Sequence, residues 1–215
     1  MRHAKKTNMK KLNVEYDLIF ILDCLSQKER DDYRISEDLM DYLASQGIKQ
    51  LQAKCQNRDM VNDAFNYMNK LADSGLRFCL QIVSHGTENG LWLGDTNEDI
   101  LWSELKDKFE SLNSKLDDSL IVNMSTCKGL NGIKIVDVHS DKFPFFGLIG
   151  CNRDLFIDEA KKTNELIYTK LLEGKDISKI IKEVQEEFNK DKSEEVIFGI
   201  SAQGYDTIKK KLGKR

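Results

Sequence analysis

Short apolar runs alternate with amphipathic stretches along most of this chain. Residues 17–24 form a continuous apolar run bracketed by Asp17 and Asp23, which predicts a buried strand. Residues 36–45 carry helical spacing closed by Gly47, and a second strand follows over 48–55. Met60, Ala64, Phe65, Met68 and Leu71 then recur on one helix face until Gly75 breaks the pattern, and residues 76–83 read as a third strand. That strand runs into Ser84, His85 and Gly86. Large apolar residues between glycines over 90–94 predict a short hairpin or loop excursion, from which a helix over 101–112 returns. A fourth strand over 119–124 leads directly into Ser125, Thr126, Cys127, Lys128 and Gly129. A fifth strand is expected over 145–150, helices over 157–172 and 177–188, and a last strand over 196–201.

Apolar strands separated by amphipathic helices imply an α/β domain of three layers, a mostly parallel sheet of about six strands with helices on both faces. No internal repeat or Pro-rich linker divides the chain, which has a single proline in 215 residues. One domain over residues 15–205 is therefore expected, between basic tails over 1–14 and 206–215.

Composition narrows the function classes. The net charge of -3 gives no overall attraction to phosphate backbones or anionic lipid, and the basic ends read as solvated tails. The apolar run 18–22 is too short for a secretory signal, and no stretch approaches the roughly 20 apolar residues that cross a bilayer. A cytoplasmic protein without nucleic-acid or membrane partners is expected. Five cysteines without C-x-x-C spacing suit a reducing compartment and argue against a disulfide framework or a structural zinc. Cys24, Cys55, Cys79 and Cys151 read as small buried residues, Cys24 as core or cleft wall.

In an open parallel sheet the ligand site lies beyond the carboxyl ends of the strands. That rule selects His85 and Cys127, which follow the third and fourth strands. Strands joined by one right-handed crossover are often neighbours, about 4.8 Å apart, so the imidazole and the thiol can share a cleft. A thiol gains nucleophilicity when a base assists its deprotonation, and an imidazole titrates near neutral pH. Gly86 lets a substrate carbonyl approach its N–H, which with the Cys127 N–H would make an oxyanion hole. Neither a metal nor an organic cofactor is needed by these parts. His3 falls in a tail and His139 in a loop, so neither competes with His85.

The pattern of apolar strand, Ser84-His85-Gly86, crossover, apolar strand, Ser125-Thr126-Cys127-Lys128-Gly129 resembles the caspase-like cysteine peptidases. These include caspases, metacaspases, legumain, gingipains and the bacterial families called CHAT. The resemblance covers residues 15–202 as architecture, and only the two strand ends are specific. It implies a caspase-like fold, catalysis by His85 and Cys127, and an oxyanion hole at Gly86 and Cys127. Ser125-Thr126 and Lys128 depart from the animal caspase signature, so the resemblance is to the broader clan and aspartate specificity does not carry over. Ser125 is assigned to the substrate-binding edge.

In relatives with basic specificity an acidic residue near the end of the first strand lines the substrate pocket, which makes Asp23 a candidate for recognising lysine or arginine. Its competing reading is a capping or turn carboxylate. Trp92 and Trp102 either flank a groove or pack the excursion after His85; packing is the simpler expectation. The expected function is a cysteine endopeptidase acting on protein or peptide substrates under the control of a regulatory partner or signal, in the setting of bacterial defence or programmed death. The alternative is a non-cleaving module of the same fold. A receiver or nucleotide-binding domain is disfavoured, because no aspartate ends the third strand and no Gly-rich phosphate loop follows the first.

Overall fold

The computed structural model describes residues 16–124, 126–137, 140, 142–173, 177–188 and 198–201. Ser125, His3, His139 and both basic tails lie outside them. Element order is β1 (Leu18–Asp23), α1 (Gln27–Tyr33), α2 (Ile35–Ser45), β2 (Gln50–Lys54), α3 (Arg58–Asp73), β3 (Phe78–Val83), β4 (His85–Gly86), β5 (Gly90–Leu93), β6 (Glu98–Leu101), α4 (Trp102–Lys115), β7 (Ile121–Met124), a 3-10 helix (Gly129–Ile135), β8 (Gly147–Gly150), α5 (Ile157–Leu172), α6 (Ile177–Phe188) and β9 (Phe198–Ser201).

The central sheet has the order β2-β1-β3-β7-β8-β9. The first five strands of that order are parallel, and β9 runs antiparallel to β8 at the far edge. The sheet is thus mostly parallel, with a parallel body of five strands where about six strands in all were expected. β4, β5 and β6 form a separate antiparallel sheet. The excursion after His85 is thus larger than the short hairpin or loop expected over residues 90–94, because β6 (Glu98–Leu101) adds a strand with two acidic residues and three exposed positions.

Period-2 alternation sends the strand side chains to two cores. Leu18, Phe20 and Leu22 of β1, Phe78, Leu80 and Ile82 of β3, and Val122 of β7 pack with Phe65 and Met68 of α3 and Phe109 and Leu112 of α4. Ile19, Ile21, Cys79, Val83 and Ile149 face the other way, against Leu39 and Leu43 of α2, Ile167 and Tyr168 of α5, and Val184 of α6. Helices on both faces explain why β1 and β3 are buried along their whole length and read as predominantly apolar runs. Among the described residues no helix is long and apolar enough to cross a membrane.

Candidate functional site

The pairing of β3 with β7 brings the segments that carry the two selected residues side by side. Leu80 pairs with Val122 and Ile82 with Met124, an offset of 42 residues. His85 and Cys127 differ by the same offset, so both leave the sheet at one level on adjacent strands. Contact between the two strand ends is direct. A Cβ placed on Gly86 would lie 1.9 Å from the Cys127 carbonyl oxygen and 2.7 Å from Thr126 Oγ1, so the backbone of the His85-Gly86 segment is seated on the backbone of Cys127. Only glycine permits that approach.

The short sheet that follows β3 fixes the imidazole. His85 pairs with Trp92 and Gly86 with Leu91, and Thr87 N–H donates to the Gly90 carbonyl at 2.9 Å. Alternation of hydrogen-bonded and non-bonded pairs then directs the Gly86 N–H away from β5. The His85 ring meets the Trp92 indole edge-on, with centroids 5.0 Å apart. Ser84 Oγ, at the junction, donates to the Trp92 and His85 carbonyls. Trp102 is 3 % exposed and belongs to the core, as the packing reading expects, whereas Trp92 is half-buried beside the histidine.

A carboxylate the sequence reading passed over completes the imidazole's surroundings. Glu29 Oε1 lies 2.5 Å from His85 Nε2. Its other oxygen accepts from Ser26 N–H at 2.9 Å and Ser26 Oγ at 2.7 Å, while Glu29 N–H donates back to Ser26 Oγ. This is a capping box at the start of α1, whose motif Ser26-x-x-Glu29 is visible in the sequence. Gly94 closes over it: a Cβ there would come within 2.4 Å of Ser26 N and 2.7 Å of Glu29 Oε2. Burial opposes ionisation of Glu29, but the hydrogen bonds from Ser26 and His85 outweigh it and hold the carboxyl below its ordinary pKa. An ionised Glu29 accepts from Nε2–H, which leaves His85 Nδ1 as the ring nitrogen able to take a proton.

Cys127 is half-buried, and the other four cysteines are buried. Leu155 N–H donates to its sulfur at 3.3 Å. The loop after β8 also binds the residues around the thiol: Lys128 N–H donates to the Arg153 carbonyl and Leu130 N–H to the Cys151 carbonyl. Lys128 takes a left-handed conformation at φ 53°, turning the chain into the 3-10 helix. Gly129 is required at that turn, since a Cβ would press within 2.8 Å of the Met124 carbonyl and of Thr126 Oγ1. Arg153 is held in turn by both carboxylate oxygens of Glu159, the first acidic side chain to cap α5.

Asp23 sits at the end of β1, on the expected edge, but it is fully buried. Its Oδ1 accepts from Leu25 N–H at 3.0 Å and its Oδ2 from Gln52 Nε2 at 3.4 Å, and burial pushes its pKa up. Asp23 ties the β1 turn to β2, and its carboxylate has no exposed surface. Its bond to Leu25 N–H, two residues on, is that of a turn carboxylate, buried rather than solvated. Among the described residues no group of three or more His, Cys, Asp or Glu side chains is placed to hold a metal.

Four strand ends thus meet at one rim: β1 through Ser26 and Glu29, β3 through His85 and Gly86, β7 through Cys127, and β8 through Leu155. An imidazole held by Glu29 and a half-buried thiol thus lie just beyond adjacent strands. Comparison of the chain with protein-family models and with curated proteins finds no match.

Proposed function

We propose that the chain is a cysteine endopeptidase of caspase-like fold, cytoplasmic and soluble, with Cys127 as nucleophile and His85 as general base and acid. The observation that supports this reading is that His85 and Cys127 follow the paired strands β3 and β7, with Gly86 against the Cys127 backbone. Nδ1 of His85 takes the thiol proton, and Cys127 Sγ attacks the scissile carbonyl. The developing oxyanion is held by the Gly86 and Cys127 amides. His85 returns the proton to the leaving amine, and water, activated by the same imidazole, releases the acyl group from sulfur. Glu29 is a positioning residue that fixes the ring and its tautomer. A partner protein or signal controls the activity, because an unrestrained peptidase endangers its own cell.

Wild type and Cys127→Ala are incubated with a proteome and the new N-termini are mapped. Termini that depend on Cys127 support the reading; identical sets from the two proteins, with and without cell extract as a source of activator, overturn it.

The second reading is a binding module that keeps the fold without cleaving, and the Leu155 amide seated on the Cys127 sulfur favours it. An electrophilic peptide probe separates the two. A competent dyad labels at Cys127 and loses most of that label in His85→Ala, whereas a silent module labels both proteins alike.

A further inference from the structure

One loop contacts both the half-buried Cys127 and the residue before it. At its far end Leu155 N–H donates to Cys127 Sγ. At its near end Cys151 Sγ donates to the carbonyl oxygen of Thr126 at 3.2 Å and to that of Arg153 at 3.0 Å. The Thr126 carbonyl belongs to the peptide unit that includes the Cys127 Cα, and standard peptide dimensions then place the Cys151 sulfur within about 6 Å of that Cα. Cys127 is the one half-buried cysteine of the five, so it is the thiol that a small oxidant reaches. Cys151 is 2 % exposed, and burial raises its pKa, which keeps it the neutral thiol behind the first site of attack. Cys24 and Cys55 also face each other at matched positions beyond β1 and β2, but they are 0 % and 1 % exposed and lack an accessible member.

We propose that Cys127 and Cys151 are a peroxide-reactive pair, in which Cys127 is oxidised first and Cys151 resolves the product as an intrachain disulfide. In the first step Cys127 sulfur attacks a hydroperoxide oxygen, an S–O bond forms, the O–O bond breaks, and water (or an alcohol, from an alkyl hydroperoxide) departs. Cys151 sulfur then attacks Cys127 sulfur; the S–S bond forms, the S–O bond breaks, and the hydroxyl leaves as water with the Cys151 proton. Two thiols lose two electrons and hydrogen peroxide becomes two waters. A dithiol reductant reverses the step by exchange. Residues 151–156 lie in neither a helix nor a strand, and the disulfide forms by a local shift of that loop toward Cys127. The pair shields Cys127 from irreversible oxidation and removes it as a nucleophile until it is reduced. This chemistry requires only the exposed thiol and its neighbour, and is independent of peptide cleavage.

The full chain is treated with a small molar excess of hydrogen peroxide, its remaining thiols are alkylated in denaturant, and it is digested without reduction for mass spectrometry. The expected result is a cross-linked peptide joining Cys127 to Cys151, with Cys24, Cys55 and Cys79 alkylated and both partners recovered after dithiothreitol. In Cys151→Ser, and in Cys151→Ala if serine perturbs the fold by circular dichroism, Cys127 goes on to sulfinic acid that dithiothreitol does not recover. Sulfinic acid at Cys127 in wild type to the same extent, a cross-link to another cysteine or another chain, or a Cys127 untouched by peroxide each overturns the inference. A chain that cleaves proteins without forming the cross-link sinks this inference alone; one that cross-links but leaves no Cys127-dependent termini sinks the peptidase reading alone.

Discussion

Gly86 has no room for even one methyl group, because its missing Cβ would meet the Cys127 carbonyl at 1.9 Å. Gly86→Ala should push the His85 and Cys127 segments apart, destabilise the chain by more than about 2 kcal/mol as overpacking does, and abolish probe labelling at Cys127. A folded Gly86→Ala with wild-type labelling would show that the two segments do not need this contact. Glu29→Gln tests the imidazole's support. It should lower turnover about 10–100-fold with little change in KM. The folded-state pKa of Glu29 lies below its unfolded value, so its ionisation adds stability above the unfolded pKa of about 4.3 and loses it as pH falls through the folded pKa. Acid titration of Glu29→Gln should therefore show a shallower loss of stability than wild type. Asp23 runs with the opposite sign. Its raised pKa means that its contribution is fullest below the unfolded value of about 3.9 and falls as pH rises through the folded pKa. Asp23→Asn should gain on wild type between about pH 4 and neutrality in denaturant unfolding, and leave any preference for basic substrates unchanged. Loss of such a preference would return Asp23 to the substrate pocket.

At the scale of elements, the parts of the site built on apolar runs were legible and those built on polar segments were not. β3 and β7 are predominantly apolar strands, each with a single polar residue, between amphipathic helices, so their ends, and with them His85 and Cys127, could be located from pattern alone. α1 could not, because Gln27–Tyr33 is polar almost all round and has no apolar face to betray a helix. Its one signature is the Ser26-x-x-Glu29 box, and that box is what holds Glu29 against His85. β6 was missed for a related reason, two of its four residues being acidic. The dependence of the site on α1 can be measured. Ser26→Ala removes the hydroxyl that caps Glu29 N–H and donates to its carboxylate, and should cost about 1 kcal/mol of stability. It should also lower Cys127-dependent turnover several-fold, whereas Ser26→Thr retains both. A turnover unchanged at reduced stability would mean that the cap serves the helix and not the histidine.

Over the whole molecule, pairing order was readable only in part: alternation of strand and helix implied a parallel sheet, but the antiparallel return of β9 depends on long-range contact that local pattern does not encode. Nor did the apolar pattern reveal the polar group that crosses the interior beneath the site. Gln81 of β3 lies in the core with Asn123 of β7 and Tyr168 of α5, each 2 % exposed or less. Gln81 Oε1 accepts from Asn123 Nδ2 at 2.7 Å and from Tyr168 OH at 2.9 Å, and Asn123 Nδ2 also reaches Asn164 Oδ1 at 3.1 Å. The network therefore joins the two strands that deliver His85 and Cys127 to the helix that covers them. Tyr168→Phe removes one of two donors to a still-satisfied oxygen and should cost about 1 kcal/mol. Asn123→Ala removes the donor shared by Gln81 and Asn164 and opens a void between β7 and α5, for about 2–4 kcal/mol. For a chain of this size each kcal/mol lowers Tm by about 2–4 °C, so the two variants should separate clearly in a thermal scan. Both should unfold in one transition, because the network belongs to a core shared by the sheet and its helices. A milder loss in Asn123→Ala than in Tyr168→Phe, or a second transition in either, would mean that α5 docks on the sheet through its apolar face alone, and that the strands holding the imidazole and the thiol are tied by their backbone ladder and not by their side chains.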